Sequence, residues 1–158
     1  MQPARDMDVA GRLRRKDSVR IILPYPPSTN RYWRFDRGKV HISDPGQRYR
    51  EEVAVRLRMQ GVRPGHELWD ARLAEAIEAF PPDRRIRDID NIQKPLNDSL
   101  QHGGLYRNDS QLDLLQTQRC EVRPSGLIIV NIEPMPLRVC PTCGQAIPKM
   151  RVNHHEQS

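Results

Sequence analysis

The chain has 158 residues, and 26 Lys+Arg against 20 Asp+Glu give it a net charge of +6 at pH 7. That length suits one globular domain with short tails, and 37% apolar with only 5% aromatic residues implies a modest, mostly aliphatic core. No apolar run approaches a membrane span and the first residues lack the apolar centre of a signal peptide, so a cytoplasmic protein is expected, not a secreted or membrane one.

Of the basic residues, 22 are arginine and 4 lysine. Guanidinium forks match phosphate oxygens, which points to a nucleic-acid partner, although arginine-rich surfaces also arise from solvation alone. The three cysteines, Cys120, Cys140 and Cys143, are an odd number and argue against a disulfide framework.

In chain order, residues 1–17 read as a flexible basic arm, 18–136 as a single domain and 137–158 as a tail. Val19, Ile21, Ile22 and Leu23 make a short strand that Pro24, Pro26 and Pro27 convert into a loop. Arg31, Tyr32, Trp33, Arg34 and Phe35 follow, then Val40 and Ile42 in a second, hairpin-related strand. Tyr49, Val53 and Leu57 recur at helical spacing over 45–60, and Gly61 stops that helix. Over 70–80, Ala, Leu and Glu favour helix by propensity, yet Leu73, Ile77 and Phe80 make only a thin helical stripe. A second helix runs from about Asn91 to His102 and ends at Gly103-Gly104. Residues 111–121 and 126–133 are apolar segments about Pro124-Ser125-Gly126, which predicts a hairpin.

The densest chemistry lies in Arg87-Asp88-Ile89-Asp90-Asn91-Ile92-Gln93-Lys94. In an extended segment Asp88 and Asp90 would share one face, on the order of 7 Å apart at Cα. Such carboxylates suit a hard cation such as Mg²⁺, and Lys94 falls one turn into the helix, on the side facing them. Asp109 is the candidate third acid and Asp113 the second choice. The opposing view is an exposed acidic turn paired to Arg84, Arg85 and Arg87, and spacing alone leaves both open.

Three ordered blocks go further. Leu23-Pro24-Tyr25-Pro26-Pro27-Ser28-Thr29-Asn30-Arg31-Tyr32-Trp33, then Asp83-Arg84-Arg85 through Lys94, then Asp98, Leu100, Gly103 and Asn108-Asp109-Ser110-Gln111 resemble the RusA-type Holliday junction resolvases. The resemblance covers roughly residues 19–134. It implies an α/β (α+β) fold with a small mixed β-sheet and two main helices, and a strand rather than a helix over 71–80. It further implies that Asp88, Asp90 and Asp109 bind Mg²⁺ (or Mn²⁺), that Lys94 joins the catalytic group, and that a homodimer makes paired nicks in four-way DNA during recombination and repair. Arg31, Arg34, Arg84, Arg85 and Arg87 are the candidate DNA contacts. Asn108 stands where the family often has a further acid.

The tail carries Cys140-Pro141-Thr142-Cys143-Gly144 and, with ten residues between Cys143 and the first of them, His154-His155. This is the shape of a zinc knuckle, with Cys140, Cys143 and one or both of His154 and His155 as ligands of a structural Zn²⁺. Two rival functions remain at this level. One is a zinc-containing DNA-binding module without catalysis. The other is a nuclease of the same fold acting on other branched DNA.

Overall fold

In the computed structural model, the described residues are 18–135, 140 and 142–145. The basic arm, most of the tail and both His154 and His155 lie outside them. Strands β1 (Val19–Pro24), β4 (Leu73–Phe80), β5 (Leu112–Arg119) and β6 (Leu127–Pro134) form one sheet in the order β1-β6-β4-β5. Strand β6 runs antiparallel to both β1 and β4, whereas β4 and β5 are parallel. A separate two-stranded ribbon joins β2 (Trp33–Asp36) to β3 (Lys39–Ile42). Its tip is Arg37-Gly38, at φ 48° and 76°, the paired left-handed conformation that a tight hairpin turn requires.

The helices are α1 (Thr29–Tyr32), α2 (Asp44–Met59) and α3 (Gln93–His102), so the expected mixed α+β class with two main helices holds. Helix α2 starts where the Ser43 hydroxyl accepts from the Gly46 amide at 3.2 Å, with Pro45 in its first turn, where no amide is needed. It stops at Gly61, whose φ of 82° continues the backbone at little steric cost. Among the described residues no helix is long and apolar enough to cross a membrane.

Alternation along the strands builds the core. Ile21 and Leu23, Leu73 and Ile77, and Ile128, Val130 and Ile132 are all buried on the helix-facing side. Above them lie Val53 and Leu57 of α2 and Leu96 and Leu100 of α3. A Cβ on Gly103 would come within 2.5 Å of Leu57 Cδ1, so glycine there is what lets the two helices close. The aromatic trio divides: Tyr32 is fully buried, Trp33 meets it edge-on at 5.2 Å, and Phe35 is 76% exposed on the ribbon.

Segment 73–80 is a strand despite its helical composition. It sits in the middle of the sheet with hydrogen-bonded neighbours on both edges, so fifteen paired ladder positions outweigh a per-residue preference worth tenths of a kcal/mol.

The predicted hairpin is corrected. Strands β5 and β6 both form, but β4 lies between them. The linking residues cross the end of β4, where the Cys120 amide donates to Ala79 O at 2.8 Å and the Arg123 amide to Pro81 O at 2.9 Å. The turn signal at Pro124-Ser125-Gly126 is genuine, since the Gly126 amide closes on Arg123 O at 2.8 Å. A local signal reports that the chain reverses, not whether a third strand fills the gap.

Candidate active site

The acidic block lies on the approach to α3. Asp90 opens a 3₁₀ turn, Asp90–Ile92, that runs directly into that helix. Ile89 already has helical dihedrals, φ −70° and ψ −26°. The Asn91 amide bonds Asp88 O, and its side-chain Nδ2 bonds Asp88 Oδ2, both at 3.3 Å. The expected extended geometry for 88–90 is therefore corrected: the chain turns at Ile89 because Asn91 closes on Asp88 from both backbone and side chain.

Lys94 lies on the first turn of α3. Its Nζ donates to Asp98 Oδ1 at 2.7 Å and to Asp109 Oδ2 at 3.0 Å. The Asp98 bond, reinforced by Asp109, raises the lysine's pKa above its ordinary value despite partial burial, so it stays an ammonium. Asp109 itself is placed by its backbone. Asn108 Oδ1 accepts from the Ser110 amide at 2.8 Å, while Gln111 Oε1 takes the Asn108 amide at 2.9 Å. Gln101 Oε1 of α3 holds the Asp109 amide at 3.1 Å. Buried Gln111 is anchored through Nε2 to Trp69 O and Ala71 O. Asn108 thus acts as a cap here, a task its amide performs without adding charge. Asp113, the second choice, is engaged elsewhere, with its Oδ2 receiving Arg72 Nε at 2.9 Å.

Beside this cluster a cleft of about 750 Å³ is lined by Tyr25, Pro27, Arg31, Arg48, Arg87 and Asp88, among others. The proline-rich loop and the acidic block meet there, tied by Thr29 Oγ1 donating to Asn91 O at 2.9 Å. Asp90, Lys94 and Asp109 lie beyond its lining. Arg87 is fixed by Asp83 at 2.5 and 2.9 Å, and those bonds, with the Arg85 amide, pull the Asp83 carboxyl down to about 2. Arg84 and Arg85 are exposed on the same loop, and Ile86 between them and Arg87 is 98% exposed. Arg34 is exposed on β2, away from the cleft lining.

Lys94 therefore joins Asp109 to Asp98, while Asp88 and Asp90 stand on the preceding turn. Among the described residues no three His, Cys, Asp or Glu side chains are grouped to hold one ion. The donor chemistry nevertheless fits a hard cation, since every candidate ligand is a carboxylate. Asp98 adds a second sign: its Oδ2 is buried and has no hydrogen-bond partner, an acceptor that a cation or its hydration water would satisfy. Sequence reasoning missed Asp98 as a site residue, although its place four residues after Lys94 on a helix was a usable signal. It also missed Gln101, Gln111, Arg48 and the bare Ile86. Gln111 left one local mark, its place three residues after Asn108 in a capping box; the others depend on contacts across the fold.

Comparison with known proteins covers this whole region. The family model for Endodeoxyribonuclease RusA matches residues 24–133, which hold the loop, the acidic block, α3 and the Asp109 turn. The crossover junction endodeoxyribonuclease of Enterobacteria phage HK97 is 39% identical over 116 residues, covering 73% of this chain and 94% of that protein. That of Escherichia coli strain K12 is 37% identical over 119 residues, covering 73% and 93%. The enzyme of Enterobacteria phage 82 is 36% identical over 119 residues, covering 75% and 97%. A match that takes in β2 to β5 and nearly all of β6, both main helices and every candidate catalytic residue places this chain in the RusA endodeoxyribonuclease family.

Proposed function

We propose that the protein is a Mg²⁺-dependent endonuclease that resolves four-way DNA junctions by paired nicks, as a homodimer, in recombination and repair. The observation that carries this reading is the Lys94 ammonium held between Asp98 and Asp109, next to an arginine-lined cleft that Asp88 enters. An exposed acidic turn that merely solvates the surface has no need of an Asp109 turn capped by Asn108 and anchored by buried Gln111, or of a lysine shared by two acids.

The basic groups draw and seat the phosphate backbone. Arg31, Arg48 and Arg87 line the cleft, and Arg84 and Arg85 extend the positive surface along its rim. Because Asp83 fixes Arg87, the guanidinium meets a phosphate with little side-chain ordering left to do. Asp88, Asp90 and Asp109 would hold the Mg²⁺, which when bound supplies positive charge against the attacked phosphate. Lys94 donates a hydrogen bond to a phosphate oxygen as negative charge builds there, and Asp98 keeps the lysine aimed and protonated. Two copies related by a two-fold axis match the near two-fold symmetry of a four-way junction, so each copy meets one of two opposed strands.

Synthetic four-way, three-way and linear DNA incubated side by side with Mg²⁺ test the reading. Paired, Mg²⁺-dependent cuts confined to the four-way substrate are expected. Retention without cutting would identify a binding module, and equal cutting of flaps and forks would broaden the substrate. Lys94→Ala is expected to lower single-turnover cutting by about a hundredfold while junction affinity changes little, because one charge among 26 basic residues adds little to general attraction. An equally steep fall in affinity would make Lys94 an ordinary phosphate contact.

A further inference from the structure

We propose that Ile86 is a wedge that enters the base stack at the branch point of the DNA junction and holds it open there. The wedge rests on the junction-binding part of the function proposed above, and not on its metal chemistry.

Ile86 is 98% exposed, more than any other large apolar side chain among the described residues. Single exposed apolar residues are ordinary on protein surfaces, so exposure alone assigns nothing. What sets Ile86 apart is the way it is held. The Asp83 carboxylate grips the Arg87 guanidinium at 2.5 and 2.9 Å and also accepts the Arg85 amide at 2.9 Å. Arg87 Nη1 reaches back to Arg85 O at 3.2 Å, and Arg119 of β5 donates to Arg87 O. The residues on either side of Ile86 are therefore tied down while its own side chain is left bare. A side chain presented by a closed loop loses little freedom on insertion.

The surroundings select the partner. Arg84, Arg85 and Arg87 flank Ile86, and guanidiniums match phosphate oxygens. An apolar partner would gain nothing from them, whereas a polyanion with an apolar interior satisfies both kinds of group. DNA is built that way, with phosphates outside and stacked bases between them. Isoleucine is among the side chains that DNA-binding proteins drive between base steps, unstacking them and kinking the duplex. Insertion is cheapest where pairing and stacking are already interrupted, as at a branch point.

The cleft described above gives an unstacked base somewhere to go. Ile86 stands on its lining with Tyr25, Pro27 and Pro82, whose rings offer flat apolar surfaces, and with Arg31 and Arg48 to meet a phosphate. Its volume of about 750 Å³ falls in the range of clefts that enclose small ligands, roughly 300–1,000 Å³. This wall is closely packed, since a Cβ on Gly126 would fall 2.9 Å from Tyr25 Cβ and 3.0 Å from Pro82 Cδ. Ser125, also on the lining, holds a left-handed φ of 70°, a strained conformation of the kind that clusters at ligand sites.

The test places 2-aminopurine, a base whose fluorescence rises when it is unstacked, at the branch point of a synthetic four-way junction. A control junction carries the probe inside one arm. The full chain is added with Ca²⁺ in place of Mg²⁺ to hold back cutting. Binding should raise the branch-point signal severalfold and leave the arm signal unchanged. Ile86→Ala should abolish the rise while affinity changes by less than about threefold, because every arginine remains. Ile86→Leu should keep the rise. The alanine variant should melt with the parent, since a side chain in water supports no packing. With Mg²⁺, Ile86→Ala should cut a fully paired junction about tenfold more slowly, and recover on one whose branch-point pairs are mismatched and already open. A rise that survives Ile86→Ala, or a cutting defect that mismatches do not rescue, overturns the wedge. A rise on binding without any cutting supports the wedge and overturns the nuclease reading. No preference for the junction over linear DNA overturns both.

Discussion

Asp90→Asn is expected to reduce cleavage of a four-way junction by at least about a hundredfold, while junction binding stays intact or tightens. The substitution preserves shape and removes one negative charge from a group that would hold Mg²⁺. Asp90 is an exposed residue at the start of a 3₁₀ turn. The turn is closed by backbone atoms of Asp88 and Asn91, so an asparagine should leave its geometry alone. Binding rises because a carboxylate no longer opposes the phosphates. Band shift and cutting on one preparation separate the outcomes. Retained cutting removes Asp90 from the metal set, and joint loss of both activities with a lowered melting temperature marks a folding defect.

Glu75→Gln is expected to stabilise the fold by roughly 3 kcal/mol at pH 7. Glu75 lies on the core face of β4, only 1% exposed, and no hydrogen bond of good geometry satisfies either carboxyl oxygen. Its neighbour Asn97 of α3 also has an unpartnered Oδ1, and the Tyr106 hydroxyl beneath bonds Asn97 O at 3.1 Å. Burial raises the Glu75 carboxyl from 4.5 to about 8, only partly offset by the Asn97 amide. Below the unfolded value both states are protonated and the group adds no pH dependence. Between 4.5 and about 8 the unfolded chain releases the proton and the folded chain keeps it, so stability falls as pH rises through that window. Above about 8 both are ionised and the slope vanishes. Glutamine is neutral throughout and can offer its amide to Asn97 Oδ1. Urea unfolding across the window should show the parent protein losing stability and the variant holding level. A parent curve without that slope means that Glu75 is ionised and paired in solution.

The acidic block was recognisable in advance as a candidate because its pattern is local. Two acids before a helix start and a lysine one turn in are fixed by chain spacing, and Asp109 follows the same helix by a short turn. The link between Lys94 and Asp109 was expected only as a chain that could double back. The 3.0 Å contact depends on Gln101 and on the Asn108 cap. Glu75 was invisible as a buried acid, since a glutamate among alanines and leucines reads as a solvated helical position. It is enclosed where Asn97 of α3 meets it on the core face of β4.

The sequence by itself determined where the main helices and the strands other than 73–80 lie, which residues line the core faces, and which side chains are candidates for the chemistry, because periodicity, capping and turn formation act over a few residues. Tertiary structure alone decided that 73–80 is a central strand and that β4 separates β5 from β6. It alone set the proline-rich loop against Asp88 across one cleft. Each of these rests on hydrogen bonds and burial between segments tens of residues apart, where the energy of the whole sheet outweighs any local preference.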